Sequence, residues 1–286
     1  MNKADMMIRN MRREELDILV DWAAGEGWNP GLSDAQIFWD TDPEGFIAAE
    51  LDGELIGGGS IVSYDGLFGF MGFFIMHPDH RGQGLGNTLW HARLQRLLGR
   101  LQTPAVIGMD GVFDMLAYYA KGGFRFSTRD LRFEGIGRSF QYPDSIRPLD
   151  VLAFSDVDAY DRAHFPAPRS DFLKRWLVQP GAHSLGSVVD GCLRGFGVMR
   201  PCRQGYKIGP LFADSPNIAE DIFKALSSVV SGEPIFLDVP ENNPEAVALA
   251  QRHDMKDVFG CAKMYFGPEP DLPEQEIFGV TTFELG

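Results

Sequence analysis

The segment best suited to chemistry is a glycine-rich loop, Arg81-Gly82-Gln83-Gly84-Leu85-Gly86. Glycine lets a backbone turn sharply and leaves no Cβ in the way of a ligand. Several N–H groups then point at one place, at the positive end of the helix dipole that follows, and this geometry binds phosphate or pyrophosphate. The spacing matches neither G-x-x-x-x-G-K-[ST] nor G-x-G-x-x-G. A plain turn remains the alternative from these residues alone.

The elements around the loop favour the phosphate-binding interpretation. An apolar run of strand length, Phe68–Met76, precedes the loop, and a helix from Asn87 to about Leu101 follows it. Such a run is typical of one strand buried on both faces. Periodicity and turn residues predict the rest of the first half: a strand at 6–9, helices at 13–24 and around 37–39, strands at 46–51 and 54–63, a strand at 105–109, a helix at 114–121 and a strand at 124–134.

The second half repeats the pattern of the first at a constant offset of 138 residues. The repeated positions are Asp52-Gly53, Leu55, Gly57 and Gly59, which recur as Asp190-Gly191, Leu193, Gly195 and Gly197. An internal duplication of this kind predicts two similar mixed α/β domains. We place the domains at 1–137 and 148–268, with a linker at 138–147 and a tail at 269–286. The tail residues 276–286 are strand-like and are expected to join a sheet edge, in the first domain.

Composition excludes several classes of protein. The chain has 286 residues, 26 Lys+Arg and 40 Asp+Glu, a net charge of −14 and a pI near 4.8. Nucleic-acid binding needs clustered basic residues, so we expect no nucleic-acid partner. The three cysteines, Cys192, Cys202 and Cys261, form neither a disulfide framework nor a zinc pattern, so no metal is expected. With no signal peptide and no apolar run long enough to cross a bilayer, we expect a cytoplasmic protein without a membrane partner.

Two motifs together resemble one protein family. The string from Met76 to Gly86 resembles the signature of the GNAT superfamily of acyl-CoA-dependent N-acyltransferases, whose pattern Q/R-x-x-G-x-G/A is matched by Arg81, Gly84 and Gly86. Later, Tyr119-Ala120-Lys121-Gly122-Gly123-Phe124 is similar to the family's Y-x-K-x-G-F. The resemblance implies an α/β fold of two tandem GNAT-like domains, each a mixed, mostly antiparallel sheet flanked by helices.

The resemblance also implies a co-substrate, acetyl-CoA, and the residues that would bind it. The backbone of Ile75 and Met76 would pair with the pantetheine arm, as in adding a strand to a sheet edge. The N–H groups of the loop would hold the pyrophosphate, and the Arg81 guanidinium would add a charge-assisted bond. The full cofactor-binding set is Ile75, Met76, Arg81, Gly82, Gln83, Gly84, Leu85, Gly86 and Asn87.

The catalytic residues implied by the resemblance are fewer. Tyr119 occupies the position of the family's helix tyrosine and would protonate the departing thiolate. A protonated amine must lose a proton before it attacks, and Asp110 is the preferred candidate base. Glu50, His77 and proton loss through ordered water are the alternatives.

The acceptor side is less specified than the cofactor side. In the family the region of helices 1 and 2 borders the acceptor, so the candidate acceptor-binding residues are Glu26, Trp28, Asn29 and Trp39. Trp28 and Trp39 are equally compatible with a place in the core. The expected partner is a small amine, and the expected assembly is a monomer or a homodimer.

The chain departs from the family pattern in two places. Val112 and Met115 stand where the family often has Asn and Ala before the tyrosine. The second half keeps Asn243, Ala246 and Leu249 there, but it has Ala250 at the tyrosine position. Its loop reads Asp214-Ser215-Pro216-Asn217 and contains no glycine.

These departures leave two functions open. The first is an N-acetyltransferase whose degenerate second half shapes the acceptor site or the domain interface. The alternative is an acyl-CoA-binding sensor or regulatory module without turnover.

Overall fold

The computed structural model describes residues 6–286, so the first five residues of the predicted first domain lie outside the described part. The first half begins with a strand and two helices, as its periodicity predicts. Its elements are β1 (Met7–Asn10), α1 (Arg13–Gly25), α2 (Asp34–Thr41), β2 (Phe46–Leu51), β3 (Glu54–Ser60), β4 (Val62–Tyr64), β5 (Phe68–Phe70), β6 (Ile75–Met76), α3 (Leu85–Leu98), β7 (Ile107–Gly111), α4 (Leu116–Lys121) and β8 (Arg125–Ile136).

The second half repeats this order with small differences. The predicted linker is shorter than expected, because residues 146 and 147 already belong to a strand. The elements are β9 (Ile146–Pro148), α5 (Phe154–Ala163), α6 (Ser170–Leu177), β10 (His183–Val189), β11 (Cys192–Pro201), β12 (Tyr206–Ala213), α7 (Pro216–Val229), β13 (Pro234–Pro240), α8 (Pro244–Arg252), β14 (Lys256–Phe266) and β15 (Ile277–Gly279).

The strands form two sheets, and helices alternate with the strands along the chain. This α/β architecture confirms the predicted fold class. A four-stranded antiparallel sheet has the order β1-β2-β3-β6. The larger sheet has the order β4-β5-β7-β14-β8-β13-β12-β11-β10-β9, with β15 beside β12. Its parallel pairs are β5 with β7 and β12 with β13, and the other pairs are antiparallel. No helix within residues 6–286 combines the length and apolar character needed to cross a membrane.

The prediction of one continuous strand over Phe68–Met76 is wrong. The run breaks after Phe70, and Phe73 adopts a left-handed φ of 51°. The strand β5 then pairs with β7 in the large sheet, whereas β6 pairs with β3 in the small one. The buried Arg93 of α3 holds the two sheets at this break, because its guanidinium donates to the carbonyls of Ser60 and Gly72, both at 2.6 Å. The outer edge of β6 therefore has no strand partner within residues 6–286.

The two halves exchange their last long strands. β14, from the second half, lies between β7 and β8 of the first, and β8 in turn lies between β14 and β13. Each of these two strands is therefore paired on both edges with strands of the other half. The predicted boundaries at 137 and 148 separate the halves along the chain, but the sheet does not divide there.

Buried ion pairs also join the halves. Arg200 donates to both carboxylate oxygens of Asp34 at 3.0 and 3.2 Å, and Arg132 donates to both oxygens of Asp238 at 2.7 Å. All four side chains are almost inaccessible to solvent. Removing one member would leave a buried charge unpaired, which typically costs about 3–5 kcal/mol. The relative placement of the halves is therefore strongly constrained.

The tail joins a sheet, but in the second half rather than in the first as expected. β15 pairs antiparallel with β12 at Leu211 and Phe212. Residues 280–286 then cross to the first half, where the Tyr64 hydroxyl donates to the Leu285 carbonyl at 2.9 Å. The tail therefore contributes to both halves.

Candidate active site

The glycine-rich loop lies where the sequence predicts it, between the end of β6 and the start of α3. Gly82 and Gly84 have φ values of +72° and +80°, in the left-handed region that favours glycine. A Cβ at either position would meet no atom within 4 Å, so the backbone conformation, and not crowding, requires glycine there. The loop consequently exposes its backbone to the space in front of α3.

The N–H groups at the start of α3 form a donor-rich surface. Those of Gly82 through Gly86 have no backbone acceptor within residues 6–286. The N–H of Arg81 is already used by the Pro78 carbonyl, and that of Asn87 by the Gly84 carbonyl. No acidic residue lies in the first turn of α3 to oppose an anion. The free donors and the helix dipole together make this end of α3 suitable for a pyrophosphate.

The structure gives the Arg81 side chain partners within the protein. Its Nε donates to the Met76 carbonyl at 2.8 Å, and its guanidinium forms an ion pair with Glu26. These contacts fix the loop against β6 and α1. The predicted charge-assisted bond from Arg81 to pyrophosphate would therefore compete with Glu26.

The outer edge of β6 faces the same space. The N–H of His77 donates inward to the Ile56 carbonyl of β3 at 2.8 Å. Because backbone groups alternate in direction along a strand, the N–H of Met76 faces outward. The carbonyl of Met76 also faces outward, and Arg81 occupies it. A donor of this edge is thus available to an extended ligand lying beside β6.

A groove of about 1090 Å³, open to solvent, brings many of the predicted residues together. Tyr119 and Trp28 form its inner part, and Val112 and Met115 contribute apolar wall where the family often has Asn and Ala. The predicted residues in its lining are Glu26, Trp28, Ile75, Met76, Arg81, Gly82, Gly84, Gly86, Asn87 and Tyr119.

Tyr119 lies at the inner end of this groove and is 4% exposed. Its ring packs against the Trp90 ring with centroids 5.0 Å apart. Burial raises the pKa of Tyr119 to about 12, so its phenol is protonated at neutral pH. A protonated phenol here is suited to donating a proton to a thiolate.

A second cavity of about 530 Å³ adjoins the groove. The two share Trp28, Phe74, Val112 and Tyr119 in their linings. The second cavity is more enclosed, and its far wall comes from β14 and the tail, through Phe259, Cys261, Phe283 and Glu284. Tyr119 thus stands between a long open groove and a compact chamber that the second half helps to build.

The preferred base from the sequence, Asp110, lines the second cavity but is engaged in an ion pair. Lys263 of β14 lies 3.1 Å from one Asp110 oxygen and 3.3 Å from an Asp130 oxygen. Burial raises the pKa of Asp110 well above its usual range, and Lys263 opposes that shift. The Asp110 carboxyl therefore borders the chamber but is already paired with the Lys263 ammonium.

Other predicted residues lie away from both cavities. The Asn29 side chain forms two hydrogen bonds with the Gln204 backbone, at 2.9 and 3.0 Å, and Trp39 stacks on Phe46 in the core. The side chain of Gln83 is exposed and donates to the Asp79 carbonyl. Leu85 packs against the core at the start of α3.

The two alternative bases are also outside the cavities. The Glu50 carboxylate accepts from Arg9 at 2.8 Å, and the His77 ring packs edge-on against Trp22. The contacts of Asn29 and Trp39 described above are structural. Asn29 holds the loop that carries Trp28 against the second half.

Sequence reasoning missed three residues that line these cavities. His80 and Tyr118 line the groove, and the Tyr118 hydroxyl donates to the Asn87 side chain at 2.9 Å. Tyr118 is adjacent to the tyrosine of the motif, so helix geometry was a usable signal for it. Glu284 lines the second cavity, and no local pattern indicates this, because its position depends on the path of the tail across two domains.

The corresponding place in the second half is differently built. Eight residues, 77–84, connect β6 to α3, but only Asp214 and Ser215 connect β12 to α7. Ser215 caps α7, accepting from the Ile218 N–H, and Asp214 accepts a hydrogen bond from Tyr160 at 2.6 Å. A carboxylate and a capped helix replace the free donors of the first half.

Comparisons with known proteins agree with two domains of one family. A model described as "Acetyltransferase (GNAT) family" matches residues 8–124, and one described as "Acetyltransferase (GNAT) domain" matches residues 157–279.

Individual relatives support the same grouping. Holothin acyltransferase of Pseudoalteromonas sp. is 28% identical over 96% of this chain and 92% of that protein. Acetyltransferase ECA0875 of Pectobacterium atrosepticum is 32% identical over 36% of this chain and 83% of its own length. A Pyrococcus horikoshii crystal structure, provisionally assigned as an acetyltransferase, shares the fold with a TM-score of 0.85. That structure is 21% identical, and the match covers 100% of this chain and 98% of the other.

Proposed function

Because this chain belongs to the GNAT acetyltransferase family and is an acyltransferase, we propose that its first half transfers the acetyl group of acetyl-CoA to a primary amine of a small molecule. One observation carries the proposal. The unpaired edge of β6, the free N–H groups at the start of α3 and the buried Tyr119 all border one groove. An extended thioester with a pyrophosphate at one end fits that arrangement.

In the proposed complex each part of acetyl-CoA meets a different feature. The N–H groups of Gly82 through Gly86 bind the pyrophosphate, and the outward N–H of Met76 binds the pantetheine arm as an added strand would. The thioester then lies at the inner end of the groove, beside Tyr119. The acceptor enters from the adjoining chamber, so amine and thioester meet at the boundary of the two cavities.

The reaction proceeds by direct attack of the neutral amine on the thioester carbonyl. The carbon–sulfur bond breaks as the amide forms, and Tyr119 gives its proton to the departing thiolate. The chamber is mostly closed by aromatic side chains, which exclude the water that would otherwise hydrolyse the thioester.

A relative supports acyl transfer as the reaction. Holothin acyltransferase, which matches nearly the whole chain, is named for action on holothin. We extend from that name only the reaction class, acyl transfer to an acceptor. A chamber walled largely by aromatic side chains favours a small acceptor over a protein chain.

The test places one carboxylate at each of the two corresponding helix starts. Gly84→Glu puts a negative charge at the proposed pyrophosphate site, and acetyl-CoA affinity should fall roughly 100-fold or more, since donors and dipole there would face an anion of the protein. Asn217→Glu is the matched control at α7, where binding should stay unchanged. Isothermal titration calorimetry measures both affinities. Thiol release with a panel of primary amines then tests transfer.

Two results would contradict the proposal. One is wild-type acetyl-CoA affinity in a folded Gly84→Glu protein. The other is tight acetyl-CoA binding by the wild type with no transfer to any amine, which would favour a sensor. Circular dichroism checks that the left-handed φ at position 84 has not prevented folding of the variant.

We further propose that the protein works in the cytoplasm, as a monomer or a homodimer and without a nucleic-acid partner. The three free cysteines, of which Cys202 and Cys261 are buried, suit a reducing compartment. Size-exclusion chromatography with light scattering measures the assembly.

A further inference from the structure

The tail residues 282–285 are fixed tightly beside the break between the two sheets of the first half. The Thr282 hydroxyl accepts from the N–H groups of Glu284 and Leu285, at 3.1 and 2.9 Å. The Glu284 carbonyl approaches Gly72 so closely that a Cβ there would lie 2.1 Å away. The backbone at Glu284 is therefore closely packed against Gly72, and the residue lines the second cavity.

The Glu284 carboxylate is buried and lacks a partner on one oxygen. The residue is 2% exposed, and its Oε2 has no hydrogen-bond partner within residues 6–286. Asp110, the other carboxyl in the same cavity, also has an oxygen without a hydrogen-bond partner in the described residues, but the Lys263 ammonium lies 3.1 Å away and balances its charge. A buried carboxylate without a partner is costly unless a ligand supplies the missing donor.

The charged groups around Glu284 and their ion-pair partners come from five elements, and most are already balanced. Arg132 of β8 is paired with Asp238 of β13, and Arg200 of β11 is paired with Asp34 of α2. Among the described charged residues around Glu284, Lys207 of β12 is the cation left without a carboxylate partner, and its ammonium lies 3.5 Å from the Trp28 carbonyl.

Burial acts on both of the unbalanced groups. It lowers the pKa of Lys207, and it raises the pKa of Glu284 above its ordinary value, with Lys207 opposing the second shift. No salt bridge joins Lys207 to Glu284 in the described residues. The carboxylate is thus held ready for a cation that comes from outside.

We propose that Glu284 binds the ammonium group of the acceptor and takes the proton that must leave before attack. This inference rests on the proposed function. It assigns to the tail of the second half the acceptor-side chemistry of the first half's reaction. Trp28, Phe259 and Phe283 provide apolar walls on the same cavity. The fitting substrate class is a compact amine with an apolar or aromatic body and one primary amino group, rather than a polyamine.

The proton balance is complete with groups in the site. Glu284 takes one proton from R–NH₃⁺, and the nitrogen lone pair attacks the thioester carbon. As the carbon–sulfur bond breaks, the thiolate takes the Tyr119 proton, and the surplus proton on nitrogen restores the phenol. The proton on Glu284 passes to water, so the products are the amide, the free thiol of CoA and one proton.

The experiment compares Glu284→Gln with Glu284→Asp in the full chain, using acetyl-CoA with 2-phenylethylamine and with spermidine as probes. For the Gln variant, kcat/KM for 2-phenylethylamine should fall about 100-fold or more at pH 7. KM for acetyl-CoA should stay within about twofold, because the pyrophosphate site is untouched. The Asp variant should recover part of the loss, and wild type should prefer 2-phenylethylamine to spermidine. Glu274→Gln is the control, an exposed carboxylate of the same tail.

Further readouts separate proton transfer from a structural role. In wild type, kcat/KM for the amine should rise with pH through the raised pKa of Glu284, because only the carboxylate accepts a proton, and this limb should vanish in Glu284→Gln. A raised pKa means that folding favours the neutral form, and the stability that this gives is lost as pH rises through the folded value. The neutral Gln should therefore unfold at the same or a higher temperature at pH 8.

Two outcomes would overturn the inference while leaving the proposed function standing. One is a Gln variant with kcat/KM within twofold of wild type. The other is a variant whose acetyl-CoA KM and melting temperature change as much as its amine kinetics, which indicates a structural role. Failure of the proposed function is distinguishable, because acetyl-CoA would then fail to bind to the wild type or to react with either amine.

Discussion

Corresponding strand edges are paired differently in the two halves of the molecule. In the first half, the outer edge of β6 has no strand partner among residues 6–286 and opens into the groove. In the second half, β15 pairs with Leu211 and Phe212 of β12. By the offset of 138, these residues correspond to Phe73 and Phe74, directly before β6. The protein's own tail therefore lies where a pantetheine arm would lie in a second active domain.

The two halves share an order of elements but differ in what surrounds the corresponding helix start. In the second half the connection before the helix is only Asp214 and Ser215, and β15 covers the adjacent strand edge. The same tail then continues into the first half and places Glu284 in the second cavity. Under the proposed function, the second half has no corresponding donor site of its own and contributes part of the acceptor chamber of the first half.

The largest effect is expected from separating the halves. A fragment of residues 1–147 should not fold, because β14 is missing between β7 and β8 and the buried Arg132 loses Asp238. Far-UV circular dichroism and a thermal melt would show the absence of a cooperative transition. A fragment that melts cooperatively and binds acetyl-CoA would mean that the second half is dispensable.

A smaller effect, on rate alone, is expected at the tyrosine that the second half lacks. Tyr119→Phe should lower kcat about 100-fold or more, because the thiolate loses its proton donor, while acetyl-CoA affinity stays the same. Tyr265→Phe is the matched control, since burial also raises the pKa of Tyr265 to about 12 but it lies outside the groove. Stopped-flow thiol release gives both rates. Equal turnover by the Tyr119 variant would remove it from the mechanism.

Substitution of Asp214, the carboxylate of the second half's loop, is expected to leave the number of acetyl-CoA molecules bound per chain unchanged. Asp214→Ala removes the negative charge before α7, but β15 still covers the adjacent edge and the loop still lacks free donors. Calorimetric titration should give about one acetyl-CoA per chain for both proteins, since each binding event needs edge and donors together. A second equivalent bound by the variant would show that charge alone had silenced the second half.

Sequence predicted the local features well. The glycines at 82 and 84, the helix that follows them and the tyrosine of α4 depend on short-range chemistry, and the structure places each as expected. The constant offset of 138 residues predicted the repeated order of elements, because similar local sequence forms similar elements. The family comparisons agree with that duplication.

Long-range features were beyond local patterns. The break at Phe73 is held by Arg93, which contacts Gly72, and by the tail, which packs against Gly72. Both are distant along the chain, so the apolar run itself gives no sign of the break. Asn29 resembles an acceptor-binding residue until its contacts with Gln204 are seen. Glu284, more than 160 residues from Tyr119 along the chain, enters the site only because the strands and the tail cross between halves.

The exchanged strands also impose an order on biosynthesis. The pairing partner of β7 begins at Lys256, so the sheet behind the groove is incomplete while the intervening residues are still being made. At a translation rate of about 5–20 residues per second, the ribosome needs several seconds to add them. During that interval β7 and β8 expose edges that can pair with other chains. Synthesis of nearly the whole polypeptide thus becomes a condition for assembling the active site.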